Sequence, residues 1–159
     1  EGKENLFAGR CDVYTTDASG LSSTRAAAAN PDKWLVLPEI ISKEPLGPLV
    51  SHGDHQWGDV VRWSLNAMII AEELGITSEN VDASLGSNVP EVLRLLGVEG
   101  SYGEMLELAP DWAYQILKQI GNYSESYEAN VGPDTPLEIA RGLNALWTQG
   151  GILYAPPFR

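Results

Sequence analysis

Apolar residues recur at helical spacing through the middle of the chain, and this pattern predicts most of its secondary structure. The clearest case is residues 56–74, where Gly75 follows as a typical helix terminator and one apolar face holds Trp57, Val60, Val61, Leu65, Met68 and Ile69. The same analysis predicts shorter helices at 1–8, 18–30, from 77 onward, 90–96, 102–108, 112–120, 123–129 and 137–147. The pattern therefore indicates a helix-rich protein.

Two short stretches have the composition of β-strands instead. Residues 11–16 mix β-branched and aromatic side chains, and residues 34–37 are continuously apolar, as in strands covered on both faces. Residues 40–50 form the candidate linker, because Pro38, Pro45, Gly47 and Pro48 disfavour helix and favour extended backbone. Composition alone is equally compatible with an edge strand guarded by prolines. These segments make α/β the predicted fold class.

Asp17 follows the first predicted strand directly and precedes a predicted helix. Two interpretations fit this position. Asp is among the best N-cap residues, and spacing alone favours a cap. In open α/β sheets, however, ligands bind at the carboxyl ends of strands, where a carboxylate can hold an ammonium group by a charge-assisted hydrogen bond.

The net charge argues against nucleic-acid and membrane binding, and the cysteine content excludes a disulfide within the chain. The 159 residues suit one compact domain, and 22 acidic against 10 basic residues give a net charge of −12. Such a chain is a poor candidate for neutralising nucleic-acid phosphates or binding anionic membranes. Cys11 is the single cysteine, so no disulfide can form within the chain, and a buried small hydrophobic role is the favoured interpretation.

One turn of the sequence suggests a metal site, and the common catalytic motifs are absent from the sequence. Both histidines, His52 and His55, lie beside Asp54, which suggests a metal site, but the turn-like spacing favours Asp54 as the cap of the following helix. The sequence contains no nucleophile elbow, Gly-rich phosphate loop or HExxH motif. We therefore expect no enzyme, no metal and no cofactor.

Residues 9–17, Gly-Arg-Cys-Asp-Val-Tyr-Thr-Thr-Asp, resemble the G-R-x-D-x-x-x-x-D segment of periplasmic amino-acid-binding proteins, the type II solute-binding proteins of ABC importers. The general L-amino-acid-binding branch is the most similar. Further segments resemble that branch in family order, at residues 37–48, 112–114 with 121–123, and 140–147 continuing into 154–157. The resemblance covers nearly the whole chain but only the C-terminal part of a family member.

The resemblance implies a partial type II periplasmic-binding-protein fold. Residues 1–37 would be the end of lobe 2, residues 38–46 the hinge or crossing strand, and residues 47–159 the helix-rich C-terminal part of lobe 1. Family members close two lobes about such a hinge. No apolar leader pattern is visible in residues 1–5, which for an exported family implies a mature, cleaved or truncated chain. Cys11 would then be a thiol whose upstream partner is missing.

The implied function is binding of L-amino acids in the periplasm and delivery to the ABC transporter permease. Asp17 would accept hydrogen bonds from the ligand α-ammonium, with Thr16 and Thr15 as further contacts. The chain could build a cleft as a homodimer or by association with the missing half. The alternative is a truncated interaction or docking module, derived from the same scaffold, that binds no ligand.

Overall fold

The computed structural model describes residues 1–43 and 45–158, and the regular secondary structure of these residues is helical. The helices in this part of the chain are α1 Gly2–Phe7, α2 Ala18–Ala26, α3 His55–Glu73, α4 Val81–Ser84, α5 Pro90–Leu95, α6 Tyr102–Met105, α7 Trp112–Ile120 and α8 Tyr123–Asn130. Single 3₁₀ turns occupy Pro31–Lys33, Gly142–Asn144 and Trp147–Gln149. Across these described residues, no helix combines the length and the apolar character needed to cross a bilayer.

Contacts divide the chain into two units. The first unit contains Glu1–Gly47 and Val131–Ala140, and the second contains Pro48–Asn130 and Arg141–Arg159. The division at residues 47 and 48 lies in the proline-rich segment. The assignment of residues 1–37, 38–46 and 47–159 to lobes and hinge stays a prediction.

Helix α3 is the centre of the second unit and packs against α5, α7 and α8. The Asp54 side chain accepts a hydrogen bond from the Trp57 backbone N–H at 3.0 Å, which caps the helix as predicted. At the other end Gly75 takes a left-handed φ of 68°. The predicted bounds of 56 and 74 differ from the observed His55 and Glu73 by one residue each. The apolar core around α3 contains Ala67, Ile69, Ile70, Ala71, Ile76, Val81, Val92, Leu95, Leu96, Leu106, Trp112, Ala113, Leu117, Leu146, Ala155 and Phe158.

An aromatic cluster fixes the C-terminal segment in the second unit. The Phe158 ring lies 5.2 Å from Trp63, 5.5 Å from Tyr102 and 6.1 Å from Trp112, measured between ring centroids. The Arg94 Nε donates a hydrogen bond to the Phe158 carbonyl at 3.2 Å. The extended tail is therefore held by ring packing and one backbone contact.

The start of α8 is joined to a distant loop by polar contacts. Asn122 is buried, and its side-chain oxygen accepts from the Glu125 N–H at 3.0 Å, while its amide donates to the Ile76 carbonyl at 2.8 Å. The Glu125 carboxylate accepts from the Asn122 N–H at 2.8 Å and from the Ser78 hydroxyl at 2.6 Å. This reciprocal cap resembles a capping box that also captures the loop at residues 76–78.

Arg141 forms the main buried ion pair of the second unit. Its guanidinium donates to both Glu72 carboxylate oxygens at 3.0 Å and to the Asn144 carbonyl at 2.8 Å. Its central carbon also lies 5.3 Å from the ring centroids of Tyr123 and Tyr127. The guanidinium is therefore held by a carboxylate, a carbonyl and two aromatic faces at once.

The first unit has a different character, because none of its described hydrophobic side chains is buried. The Phe7 and Trp34 rings make an edge-to-face contact at 5.2 Å. Arg25, in the last turn of α2, forms an ion pair with Glu138 in the returning segment. An aromatic pair and an ion pair between segments far apart in sequence therefore help to hold this unit together, in place of a buried core.

The predicted strands are not present, so α/β is wrong as a description of residues 1–43 and 45–158. Residues 11–16 and 34–43 are non-helical, without regular secondary structure, and the described chain contains only an isolated bridge between Leu146 and Leu153. A strand requires a hydrogen-bonded neighbour, and none of the described segments lies alongside these two. The predicted hinge at 38–46 is likewise without helix or strand at its described positions; Glu44 lies outside the described residues.

Helix ends were predicted less well where backbone reversals interrupt an apolar pattern. The predicted helix at 137–147 is wrong, because Glu138 and Gly142 have φ values of 52° and 48° and break the helical path. Helix α6 ends at Met105 rather than 108, since Glu107 has a φ of 57°. Helix α2 ends at Ala26 rather than 30, and the helix expected to restart at 77 begins at Val81.

Candidate ligand-binding site

The carboxylate of Asp17 is fixed at the N-terminus of α2. Asp17 has a non-helical backbone, and its carbonyl accepts the Leu21 N–H at 2.9 Å. Its Oδ2 accepts the Gly20 N–H at 2.8 Å and the Ser19 hydroxyl at 2.6 Å. The N-cap interpretation of Asp17 is therefore confirmed.

The same contacts determine the charge of this carboxylate. Hydrogen bonds from the Ser19 hydroxyl, the Gly20 N–H and the Thr16 hydroxyl, in that order of importance, hold the pKa of Asp17 below its ordinary value of 3.8. Asp17 is therefore ionised at neutral pH. Oδ1 accepts only the longer bond from Thr16 at 3.2 Å among the contacts described here, so this oxygen retains acceptor capacity.

Glycine at position 20 allows this close approach. A Cβ added to Gly20 would lie 3.0 Å from the Asp17 Oδ1, 3.2 Å from Oδ2 and 3.1 Å from the Thr16 methyl carbon. These distances are tighter than ordinary van der Waals contact. The cap is therefore built around a residue without a side chain.

The structure places the two threonines differently. Thr16 is exposed and donates to Asp17, whereas Thr15 lines a surface depression of about 390 Å³ in the first unit. The other residues around this depression are Gly2, Asn5, Arg10, Cys11, Val13 and Tyr14. Asp17 and Thr16 therefore form one polar group, and Thr15 lies beside it on a neighbouring concave surface.

Ser19 is a site residue that sequence reasoning missed. Its hydroxyl makes the shortest contact with the Asp17 carboxylate and is the main cause of the lowered pKa of that group. The signal was present as Asp17-Ala18-Ser19-Gly20, with a small hydroxyl residue two positions after a capping aspartate. Side-chain donors to a capping carboxylate can be sought in the sequence as well as backbone donors, and this would have identified Ser19.

The histidine-containing turn and Cys11 are the remaining candidates that the sequence offered for site chemistry. His52 lies in the turn before α3, His55 begins the helix, and Asp54 caps it. Among residues 1–43 and 45–158, no three His, Cys, Asp or Glu side chains gather closely enough to hold a metal ion. Cys11 is a free thiol and half-buried, rather than buried as expected.

Comparison with known proteins identifies relatives along the whole chain. The sequence is 55% identical over 160 residues to the glutamate/glutamine/aspartate/asparagine-binding protein BztA of Rhodobacter capsulatus, and 53% identical over 160 residues to the putative amino-acid ABC transporter-binding protein YhdW of Escherichia coli K12. Each match covers 100% of this chain and 47% of the relative. The chain is homologous to about half of an amino-acid-binding protein of ABC transporters. The resemblance to the periplasmic amino-acid-binding proteins is therefore confirmed.

Two further similar proteins are also periplasmic binding proteins by name. The general L-amino acid-binding periplasmic protein AapJ of Rhizobium johnstonii is 57% identical over 154 residues, covering 96% of this chain and 45% of AapJ. An ABC transporter/periplasmic binding protein from Brucella ovis with glutathione bound matches with a TM-score of 0.92 and 51% identity, over 99% of this chain and 50% of that chain. No family model matches the sequence. The chain thus spans about half the length of these relatives, which are transport-binding proteins by name, and this share is consistent with a C-terminal portion.

Proposed function

We propose that this chain is the part of a periplasmic solute-binding protein that holds the α-ammonium group of an L-amino acid for an ABC importer. The observation that carries the proposal is the Asp17 carboxylate, which is ionised, rigidly held and open at Oδ1. It lies in a chain more than half identical, over 96–100% of its length, to BztA and AapJ.

In this proposal the donors to Asp17 divide into two roles. Ser19 and Gly20 hold Oδ2 and orient the carboxylate, while Oδ1 accepts an N–H of the ligand ammonium. The Thr16 hydroxyl, already directed at Oδ1, and the Thr15 hydroxyl provide further polar contacts. A fixed carboxylate loses little conformational freedom on binding, which favours affinity.

The α-carboxylate of the ligand needs a cationic partner other than Arg10, Arg25 and Arg141. Arg10 donates to the Asn5 side chain, Arg25 pairs with Glu138, and Arg141 pairs with Glu72. These cations already have partners, so we assign none of them to the ligand.

The names of the relatives suggest which ligand group Asp17 recognises. One relative is named for four amino acids, another for L-amino acids in general, and the Brucella ovis protein has glutathione bound. These molecules share a free α-ammonium beside a carboxylate, and glutathione keeps this pair on its γ-glutamyl residue. An anchor for that shared group leaves selectivity among side chains to other residues.

Lobe closure, location and delivery belong to the same proposal. The proline-rich residues 38–46 would be the crossing segment between lobes, with residues 1–37 before it and 47–159 after it in sequence. The protein would act in the periplasm with permease subunits. The cleft would be built by a homodimer or by association with the missing half. The alternative is a docking module of the same scaffold that binds no ligand. Ligand binding distinguishes the two.

The test is calorimetric titration of this chain with L-glutamate, L-leucine and N-acetyl-L-glutamate. We expect the first two to bind, and N-acetyl-L-glutamate to fail because it lacks the ammonium charge. Asp17→Asn keeps a good N-cap and should lower thermal stability only slightly, while affinity falls about tenfold to a hundredfold as the charge-assisted bond is lost.

Asp54→Asn is the matched control, since it changes the cap of α3 in the same way without touching the proposed site. An Asp17→Asn variant that binds like the wild type would refute the ammonium role. A folded chain to which no amino acid binds would favour the docking module.

A further inference from the structure

Helix α2, which carries Asp17 at its N-terminus, is held by polar contacts at both of its ends. None of its nine residues is buried, so no side chain of the helix is anchored in a core. At one end Asp17 caps the helix, and in the last turn Arg25 forms an ion pair with Glu138, 113 residues further along the chain. Arg25 comes eight positions after Asp17, which is about 12 Å along the helix axis. The helix therefore connects the ion pair to the capping carboxylate.

Glu138 belongs to a short loop that closes on itself. The Val131 carbonyl accepts the Ile139 N–H at 3.0 Å, so the segment between these two residues is a closed loop. Inside it, the Thr135 hydroxyl donates to the Gly132 carbonyl at 2.8 Å, and the Glu138 N–H donates to the Thr135 carbonyl at 3.1 Å. Compact surface loops whose ends meet in this way are frequently functional. The closed loop is a preformed support for the Glu138 side chain.

The backbone of Glu138 is strained. Its φ is 52°, in the left-handed region that glycine adopts freely and that disfavours residues with a side chain. Among the described non-glycine residues, Glu107 in the second unit is the only other one with a positive φ. Such strain persists where surrounding contacts hold it, and it concentrates at functional positions. Glycine would suit this backbone better, so the feature that needs glutamate here is the side chain that pairs with Arg25.

We propose that Glu138 is a positioning residue for the ammonium anchor: its ion pair with Arg25 fixes the direction of α2 and, through this helix, the Asp17 carboxylate. The role in ligand binding rests on the proposed function, whereas the support of α2 does not. A carboxylate that is held in place before the ligand arrives loses less freedom on binding, and small displacements of it weaken binding.

The exposure of the ion pair sets the size of the expected effect. The Arg25 side chain is 27% exposed and the Glu138 side chain is 55% exposed, so water screens the attraction between them. Pairs of this kind change an equilibrium by up to about fivefold. Loss of the pair should therefore shift the orientation of α2 and weaken ligand binding by roughly threefold to fivefold without unfolding the chain.

The test replaces Glu138 by glycine, which removes the carboxylate and accepts the left-handed φ without strain. In the ligand-free chain, amide hydrogen exchange at residues 21–26 should become about threefold to fivefold faster, while exchange in α3 stays unchanged. The affinity for L-glutamate, measured by calorimetry, should fall by a similar factor. The free energy of unfolding in urea should not fall, because relief of the strain offsets the lost pair. A merely structural role for Glu138 would leave the affinity unchanged at undiminished stability.

Glu107→Gly is the matched control. It makes the same substitution at a φ of 57° in the second unit, and Glu107 takes part in no ion pair in the described part of the chain. We expect this variant to change neither the exchange of α2 nor the affinity for L-glutamate. Equal effects from both glycine variants would overturn the proposal.

A charge reversal tests the pair itself. Arg25→Glu alone places two carboxylates together and should impair α2 exchange and affinity at least as much as Glu138→Gly. Arg25→Glu combined with Glu138→Arg restores an ion pair in the opposite sense and should recover most of both losses. A double variant no better than Arg25→Glu alone would refute the assigned role of the pair.

The two measurements separate this proposal from the ammonium anchor. Faster exchange of α2 in Glu138→Gly with unchanged affinity for L-glutamate would overturn the positioning role. If the wild-type chain binds no amino acid, the proposed function is refuted and exchange alone decides: faster exchange of α2 supports the role of Glu138, and unchanged exchange overturns it.

Discussion

Replacing Arg141 tests how much the buried ion pair stabilises the second unit. The Arg141 side chain is 15% exposed and that of Glu72 is 8% exposed, so Arg141→Met leaves a buried carboxylate without its two hydrogen bonds. Breaking a buried pair in this way costs about 3–5 kcal/mol. The residual exposure favours the lower end, and loss of the two tyrosine contacts adds roughly 0.5 kcal/mol each. We expect a total loss of about 4 kcal/mol.

The measurement is urea unfolding followed by circular dichroism at the helical band, with the free energy of unfolding extrapolated to water. Glu72→Met with Arg141→Met should be more stable than Arg141→Met alone, because no unpaired charge remains. Lys118→Met is the control: its ion pair with Asp82 is 43% and 56% exposed, and stability should hardly change. A loss below about 1 kcal/mol for Arg141→Met, or a double variant no more stable than it, would refute the reasoning.

Two further predictions concern glycines and the capping carboxylate. Gly103→Ala should lower the free energy of unfolding by about 1–3 kcal/mol in the same assay, since its Cβ would lie 2.3 Å from the Ala109 carbonyl oxygen. Gly58→Ala in α3 has room and should raise it by roughly 0.5–1 kcal/mol; the reverse order would contradict the packing described. The Asp17 carboxyl, followed by NMR, should titrate below 3.8, and Ser19→Ala should shift its midpoint upward. Because the pKa of Asp17 is lowered on folding, its ionised carboxylate stabilises the folded chain above the unfolded-state pKa, and this stabilisation is lost as pH falls through the folded-state pKa. A midpoint for Asp17 that is the same in wild type and Ser19→Ala would refute the assigned cause.

Helix α3 was predictable because its signals are local. Its apolar spacing is uninterrupted, Asp54 caps it from three residues away, and Gly75 ends it. The segment at 137–147 carries a similar apolar spacing, but its path is determined by distant contacts. Glu138 pairs with Arg25, and the Leu143 carbonyl accepts the Ile152 N–H at 2.9 Å. Such contacts override a periodic pattern and cannot be inferred from it.

The strands were mispredicted for a related reason. Residues 11–16 and 34–37 have suitable composition, but a strand exists only through its neighbours, and the described chain offers none. At the candidate site, the cap at Asp17 followed from sequence alone because the described partners of its side chain lie within three residues. The ligand role assigned to Asp17, Thr16 and Thr15 came from resemblance and depends on residues brought together by a larger fold.

The cap that joins α8 to residues 76–78 has a consequence for motion in the native state. No residue of α8 is fully buried, and in its first turn Tyr123 is partly buried against the core. The hydrogen bonds of Asn122 and Glu125 to Ile76 and Ser78 add to this packing, across 46 and 47 residues of sequence. Helix and loop should therefore open as one cooperative unit of local unfolding, with matching amide exchange rates, and weakening either one would loosen both.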